Sequence, residues 1–175
     1  MSVMKLYTYP DPVLRQKCQK ITGVNDQTRH LLDDMLETMY ADKGCGLAAP
    51  QVGVLQRIIV LDPNPSDEDL TARRPMYLVN PEIIWRSEET ILFDEGCLSL
   101  PDQRAEVERF KQIRVRYINY FGDEQEMLAE GLLAIILQHE IDHLDGILYI
   151  DHLSRLKRTR LLKKLEKYYT EQEKK

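Results

Sequence analysis

The segment with the clearest chemical signal is 138–146, QHEIDHLDG, in which His139 and His143 lie four positions apart and Glu140 follows the first. Residues i and i+4 of an α-helix share a face, so both imidazoles can bind one metal ion. The glutamate points slightly to one side, where it can take a proton from water that the metal activates. This spacing is typical of metal-dependent hydrolases.

Two histidines do not complete a catalytic metal site, which needs a third protein ligand and one position left for water. The sequence HEIDHLDGILY nearly matches a longer zinc-protease pattern, but Tyr149 stands where that pattern has its third histidine. Asp151 and Glu166 are carboxylates without any supporting local pattern. Cys97, in the segment EGCLS, would add a thiolate, and the glycine before it allows close backbone approach. The residues alone leave these candidates open.

Length and composition indicate an ordinary globular protein. With 175 residues, 43% hydrophobic and 30% charged, the chain can bury one sizeable core, and we expect a single domain over 1–175. The N-terminus resembles no signal peptide, and the longest apolar run, 131–137, is too short to cross a bilayer. We therefore expect a cytoplasmic protein that does not enter a membrane. An odd number of cysteines predicts reduced thiols: Cys18, Cys45 and Cys97.

Hydrophobic periodicity predicts helices at the ends of the chain and strands between them. Asn25 caps a predicted helix that ends at Gly44. The predicted strands are 57–62, 77–81, 82–85 and 114–120, the second and third being separated by a break at Pro81. A second helix, over 130–144, carries the two histidines and is apolar nearly all round, so it should be buried. This order favours an α+β fold.

The positive charge is concentrated at the C-terminal end. Residues 154–175 have a net charge of +6, whereas 1–153 carry −11. An amphipathic helix is predicted over 153–170, with its apolar positions at Leu156, Leu161, Leu162, Leu165 and Tyr169. A basic helix after an acidic body indicates either an anionic partner such as nucleic acid or, as composition alone favours, a solvated helix that completes the fold.

Three segments together resemble the signature motifs of bacterial peptide deformylases: GCGLAAPQVG at 44–53, EGCLS at 95–99 and QHEIDHLDG at 138–146. Their order and separations match, and the similarity extends to the C-terminal helix that one type of this family has. On composition alone the first segment would be a glycine-rich turn. The resemblance implies antiparallel β-sheets packed around a central buried helix. It also implies an enzyme that removes the formyl group from the N-terminal formylmethionine of nascent polypeptides and releases formate.

The resemblance implies one divalent metal, held by Cys97, His139 and His143. Ferrous iron is the expected native metal, and Zn, Ni or Co can replace it, because one thiolate and two imidazoles suit all four.

Catalytic roles also follow from the resemblance. Glu140 is expected to be the general base that later protonates the departing amine. The side chain of Gln51 and the backbone N–H of Leu98 are expected to donate hydrogen bonds to the oxyanion.

The family pattern implies a substrate site that holds an extended peptide and its methionine side chain. The residues implied are Gly46, Cys45, Phe93 and Arg104, and helix spacing adds three apolar residues near His139: Leu132, Ile135 and Ile136. The last three precede His139 by seven, four and three residues and so share its helix face. Cys45 departs from the aliphatic residue that is common at its position, and Arg104 would otherwise form only a surface salt bridge.

Some bacterial deformylases dock near the ribosomal exit tunnel through a basic C-terminal helix. The resemblance therefore implies ribosome contacts by Arg155, Lys157, Arg158, Arg160, Lys163 and Lys164, with a monomer as the expected state.

Two other functions remain open from the residues. A zinc endopeptidase would cut internal peptide bonds and would not need Cys97. A non-catalytic ribosome-binding protein with a structural metal would have four protein ligands and no turnover. Glu140 and Gln51 argue against the second, because neither is needed to hold a metal.

Overall fold

The computed structural model describes residues 2–175, and in that part of the chain it has three α-helices and seven strands. The helices are α1 (Asp26–Ala41), α2 (Gly131–Leu144) and α3 (Arg155–Glu173). The strands are β1 (Gly46–Ala48), β2 (Ile58–Leu61), β3 (Met76–Arg86), β4 (Thr90–Cys97), β5 (Leu100–Phe110), β6 (Gln112–Ile118) and β7 (Glu124–Glu130). Short 3-10 helices lie at Pro12–Arg15, Ala49–Val52, Leu70–Ala72 and Tyr149–His152.

The strands form two antiparallel sheets. One has five strands in the order β1-β2-β3-β6-β7, and the other is the hairpin β4-β5. Helix α2 packs against β1, β2, β6 and β7 on one side and β5 on the other, so it lies between the two sheets. The predicted α+β fold with antiparallel sheets around a central helix is confirmed.

The predicted break at Pro81 is a bulge within one strand. β3 runs without interruption from Met76 to Arg86, and its register against β6 shifts between Val79 and Glu82. Asn80 has a φ of 50°, and its side chain bonds the backbone N–H and C=O of Ile21. A bulge accommodates the missing N–H of proline, so the prediction of two strands was wrong.

The hairpin β4-β5 is absent from the sequence-based prediction, as are β1 and β7. Its inner face carries charged side chains, Glu95 on β4 and Arg109 on β5, which are 3% and 4% exposed. These charges interrupt the alternation of polar and apolar residues by which a half-buried strand is recognised. The hairpin nevertheless positions much of the site described below.

Helix α1 begins as predicted, because Asn25 and Thr28 form a reciprocal capping box. It ends at Ala41, earlier than predicted, and Lys43, with a φ of 56°, takes the left-handed conformation after it. Cys18 is 6% exposed and lies in the core that α2 shares with the large sheet.

Helix α3 begins after Ser154, whose side chain accepts a hydrogen bond from the N–H of Lys157. It packs on β5 through Leu161 and Leu165. Leu156, predicted to be on the apolar face, is 59% exposed, so that prediction was wrong. No helix within residues 2–175 is long and apolar enough to span a membrane.

Candidate active site

Two elements bring one cysteine and two histidines together. Cys97 ends β4, and His139 and His143 lie on successive turns of α2. Their donor atoms all lie within 4.8 Å of one another, and no other such group of three His, Cys, Asp or Glu residues occurs in residues 2–175. Sγ of Cys97 is 3.4 Å from Nε2 of His143. Metal bonds of about 2.0–2.3 Å to thiolate and imidazole require ligand separations of this kind.

The electrostatics of this cluster fit a small divalent cation. Burial opposes the charged form of His139, but contacts with Cys97 and Glu95 outweigh it and raise its pKa well above the usual value. Burial and the charge on His139 lower the pKa of His143. Because a metal-binding imidazole must give up its additional proton, a cation bound here would displace that proton from His139. One thiolate and two imidazoles leave one tetrahedral position free for a reacting group.

Glu140 lies beside this cluster with a carboxylate that has few partners. Its side chain is 4% exposed, and Oε2 has no hydrogen-bond partner among the described residues. Burial is the main cause that raises the pKa of Glu140 to about 7, and the neighbouring charge of Glu95 adds to it. A carboxyl group with that pKa can both accept and return a proton near neutral pH.

Gly46 allows Glu140 to occupy this position. A Cβ atom on Gly46 would lie 2.5 Å from Oε1 and 2.9 Å from Cγ and Cδ of Glu140. Because Gly46 has no side chain, strand β1 leaves room for the carboxylate of Glu140.

Gln51 points its amide group at the same cluster. Its Oε1 accepts a hydrogen bond from the N–H of Ala48 at 2.9 Å. This bond orients the amide so that the oxygen faces Ala48 and the NH₂ group faces the cluster. Its Nε2 lies 3.0 Å from Oγ of Ser99 and 3.6 Å from Sγ of Cys97. Leu98 lies in the two-residue turn between β4 and β5, next to Cys97.

The carboxylate that orients His139 is Glu95, a residue that the sequence analysis did not select. Nδ1 of His139 donates to Oε1 of Glu95 at 2.8 Å, which leaves Nε2 of the ring free to bind a metal ion. Arg109 donates to both oxygens of Glu95, at 2.7 and 2.9 Å. Glu95 precedes Cys97 by two residues, so the period of a strand places both on one face of β4. The two-residue spacing between Glu95 and Cys97 was the feature of the sequence that could have identified Glu95.

Asp142 immediately precedes His143, but its hydrogen-bond partners are other residues than the imidazoles of the cluster. Its Oδ2 accepts from Arg109 at 2.7 Å and contacts Nε2 of His152 at 2.8 Å. Gln138, the other polar neighbour, is bound to the backbone of Phe110 through both ends of its amide. Neither contacts the metal cluster.

The other candidate third ligands lie outside the cluster. The Tyr149 ring stacks on the His139 imidazole, with centroids 6.0 Å apart and planes at 24°, while its buried hydroxyl has no partner among the described residues. Asp151 forms an ion pair with Arg15 at 2.6 Å. Glu166 is an exposed residue of α3.

A cavity of about 490 Å³ opens beside the cluster. All seven residues predicted to bind substrate line it: Gly46, Cys45, Phe93, Arg104, Leu132, Ile135 and Ile136. Leu132 is 42% exposed, and Cys45 is exposed. Arg104 forms an ion pair with Asp94 at 2.7 Å, which is the surface salt bridge named above as its alternative role. Gln51, Leu98, Cys97, His139 and Glu140 line the same cavity, whereas His143 does not.

An α+β fold with a His-Glu-x-x-His helix, a cysteine beside both histidines and an apolar cavity at that point defines a metal-dependent hydrolase. Comparisons with known proteins identify its family. The family model described as polypeptide deformylase matches residues 3–159. A peptide deformylase of Phenylobacterium zucineum is 49% identical over 168 residues, which cover 96% of this chain and 98% of that protein.

Solved structures agree. A peptide deformylase from Legionella pneumophila has a TM-score of 0.90 at 38% identity, with 99% of each chain covered. One from Ehrlichia chaffeensis, in complex with actinonin, has a TM-score of 0.88 at 40% identity, with 96% of this chain and 98% of that one covered. The chain belongs to the peptide deformylase family, metal-dependent enzymes that remove the formyl group from the N-terminal methionine of nascent polypeptides.

Proposed function

We propose that this enzyme hydrolyses the formyl–methionine amide at a site that binds one metal ion, with Cys97, His139 and His143 as ligands. The observation that carries the proposal is the convergence of the three donor atoms within 4.8 Å, beside a cavity that Cys97, His139 and Glu140 line. When bound, the cation supplies Lewis acidity, which acidifies water and polarises a carbonyl. Ferrous iron is the native metal in this proposal, and Zn, Ni or Co can take its place in purified protein.

Glu140 moves the proton. As a carboxylate it accepts a proton from the attacking water, and as a carboxylic acid it donates that proton to the departing amine. A pKa of about 7 serves both steps, because neither protonation state is strongly disfavoured at neutral pH. Burial keeps bulk water away from the group and raises this pKa.

Gln51 and Leu98 stabilise the negative charge that develops on the formyl oxygen. The hydrogen bonds of Gln51 to Ala48 and Ser99 hold its NH₂ group beside Cys97 before substrate binds. A donor that is already oriented needs no rearrangement as charge appears, which is why such groups stabilise transition states. The backbone N–H of Leu98 supplies the second donor in this proposal.

The cavity wall recognises the methionine side chain and the peptide that follows. Leu132, Ile135 and Ile136 on α2, with Phe93 and Cys45, provide the apolar surface, and Gly46 allows close approach of an extended backbone. Arg104 lies at the cavity with its side chain 60% exposed, where it can contact later residues of the substrate.

We further propose that this enzyme acts in the cytoplasm as a monomer that docks on the ribosome through α3. The six basic residues assigned to this contact are all exposed: Arg155, Lys157, Arg158, Arg160, Lys163 and Lys164. Among the described residues only Arg158 of these has an ion-pair partner, Asp151 at the limiting distance of 4.0 Å. Free cations along one helix suit ribosomal phosphates, which they contact without reading sequence.

The decisive experiment is formate release from formyl-Met-Ala-Ser by anaerobically prepared protein, measured for the parent, Cys97→Ala and Glu140→Gln. We expect rapid release by the parent, loss of metal and activity in Cys97→Ala, and retained metal without activity in Glu140→Gln. Cys18→Ala, which removes a thiol from the core, is the matched control and should keep both. Full activity in Cys97→Ala would refute the ligand assignment.

A further inference from the structure

His152 makes a contact that the proposed chemistry does not use. It ends the 3-10 helix Tyr149–His152, and 37% of its side chain is exposed. Its Nε2 lies 2.8 Å from Oδ2 of Asp142 and 3.3 Å from Nη1 of Arg109. A carboxylate only accepts and a guanidinium only donates, so one nitrogen cannot bond both. The shorter distance assigns the proton to Nε2, which donates to Asp142.

This hydrogen bond is the outer end of a continuous path to the metal cluster. Oδ2 of Asp142 also accepts from Nη1 of Arg109 at 2.7 Å. Arg109 holds both oxygens of Glu95 through Nε and Nη2, and Glu95 accepts from Nδ1 of His139 at 2.8 Å. Four hydrogen-bonded links therefore join His152 at the surface to an imidazole of the cluster.

The planar guanidinium of Arg109 makes this path stiff. Two of its nitrogens match the two oxygens of Glu95, and the third is held by Asp142, so a turn of the plane breaks the paired bonds. Asp142 is 22% exposed and can rotate towards solvent unless a second donor holds its carboxylate. His152 is that second donor.

The same short helix reaches His139 by another route. Tyr149, three residues before His152, stacks its ring on the face of the His139 imidazole. One turn of chain thus contacts His139 directly through a ring and indirectly through the hydrogen-bonded path.

We propose that His152 is a positioning residue of the metal site. Its Nε2–H fixes Asp142, Asp142 fixes the plane of Arg109, and Arg109 with Glu95 sets the orientation of His139. This inference rests on the proposed function, in which His139 binds the metal.

The test is the rate at which the zinc-loaded enzyme releases its metal to an indicator chelator, together with the visible spectrum of the cobalt-loaded enzyme. Loss of the direct partner of a ligand histidine lowers metal affinity about ten- to a hundredfold. His152 lies three links further out than that direct partner, and we expect His152→Ala to release zinc about three- to tenfold faster and to shift the cobalt spectrum. His152→Gln, which keeps an N–H donor, should restore most of the parent rate. His30→Ala, the same substitution at an exposed position of α1, should change neither quantity.

A double-mutant cycle tests the route. If His152 acts through Asp142, His152→Ala should have no further effect in an Asp142→Asn background. Parent-like release and spectrum in His152→Ala, or additive effects in the double variant, would overturn the inference. Cys97→Ala separates this from the proposed function. Tight zinc binding in that variant refutes the ligand set, whereas zinc loss there with an unaltered His152→Ala refutes only the positioning role.

Discussion

Glu95 and His139 are joined by a 2.8 Å hydrogen bond between Oε1 and Nδ1, although 44 positions separate them in the chain. Strand β4 therefore contributes twice to the Cys97, His139 and His143 group, once through the thiol of Cys97 and once through the carboxylate that orients His139 on α2. Arg109, 4% exposed, balances the buried charge of Glu95 with two hydrogen bonds. The hairpin β4-β5 thus fixes both the cysteine and the ring plane of His139.

Replacing Glu95 by glutamine should weaken metal binding while the fold is kept. The amide removes the charge that holds Arg109 and His139, and we expect about a ten- to hundredfold loss of zinc affinity in a competitive chelator titration. Glu106→Gln changes an exposed glutamate of the neighbouring strand and serves as the control. Equal affinity in the two variants would show that Glu95 does not orient the ligand.

Glu95 also makes the stability of the metal-free protein depend on pH. Burial opposes its ionisation, but hydrogen bonds from Arg109 and His139 outweigh this and lower the pKa of Glu95 from 4.5 to about 2. A lowered pKa in the folded state stabilises the protein above the unfolded value, and that stabilisation disappears as the pH falls from about 4.5 through about 2. Urea unfolding over this range should lose about 3 kcal/mol in the parent from this group. The corresponding loss should be missing from Glu95→Gln, and parallel curves for the two proteins would contradict the assignment.

Gly46→Ala should inactivate the enzyme by displacing Glu140. The added Cβ would overlap Oε1, Cγ and Cδ of the buried Glu140 side chain, so the proposed general base would have to move. Because general acid–base catalysis contributes at least about a hundredfold, kcat for formate release should fall by about that factor. Zinc content should stay near that of the parent, since no ligand is changed.

Gly23→Ala provides the matched control, because a Cβ there meets nothing within 4 Å. An active Gly46→Ala variant would mean either that Glu140 is not the base or that α2 shifts to accommodate the methyl group. A crystal structure of the variant would separate the two.

Tyr149→Phe should stabilise the protein and leave the metal site intact. The substitution keeps the ring on His139 and removes a buried hydroxyl that has no hydrogen-bond partner among the described residues. Relief of that desolvation cost should raise the free energy of unfolding by about 1 kcal/mol. Tyr169→Phe should have the opposite sign, because the Tyr169 hydroxyl donates to the carbonyl of Tyr9 at 2.6 Å. Loss of zinc from Tyr149→Phe would instead indicate that the Tyr149 hydroxyl binds the metal.

Reversing charge on α3 should weaken ribosome binding without changing catalysis. Lys163 and Lys164 are exposed, and the double change to glutamate should reduce co-sedimentation with ribosomes and flatten its dependence on salt. Turnover of a short formylated peptide should stay at the parent level. Lys17→Glu with Lys20→Glu alters two exposed lysines of the N-terminal region by the same charge. If both double variants bind ribosomes equally, α3 is not the docking surface.

The sequence by itself determined those features that depend on the regular spacing of residues within a single helix. The four-residue spacing places His139 and His143 on one face of α2, and the apolar residues before them predict that this helix is buried, which it is. The capping residue Asn25 marks the start of α1 in the same way. Through the resemblance, three motifs also indicated the family, which is confirmed, and predicted Cys97 as the third ligand.

Contacts between elements distant in sequence were decided by the tertiary structure alone. Glu95, Arg109, Asp142 and His152 come from β4, β5, α2 and the turn before α3, and no periodicity relates them. Strand registers and helix packing set their distances, and the inward charges on β4 and β5 are tolerated only because they meet there. A sequence read alone shows such residues as interruptions of an apolar pattern, since their partners become neighbours only when the hairpin packs against α2.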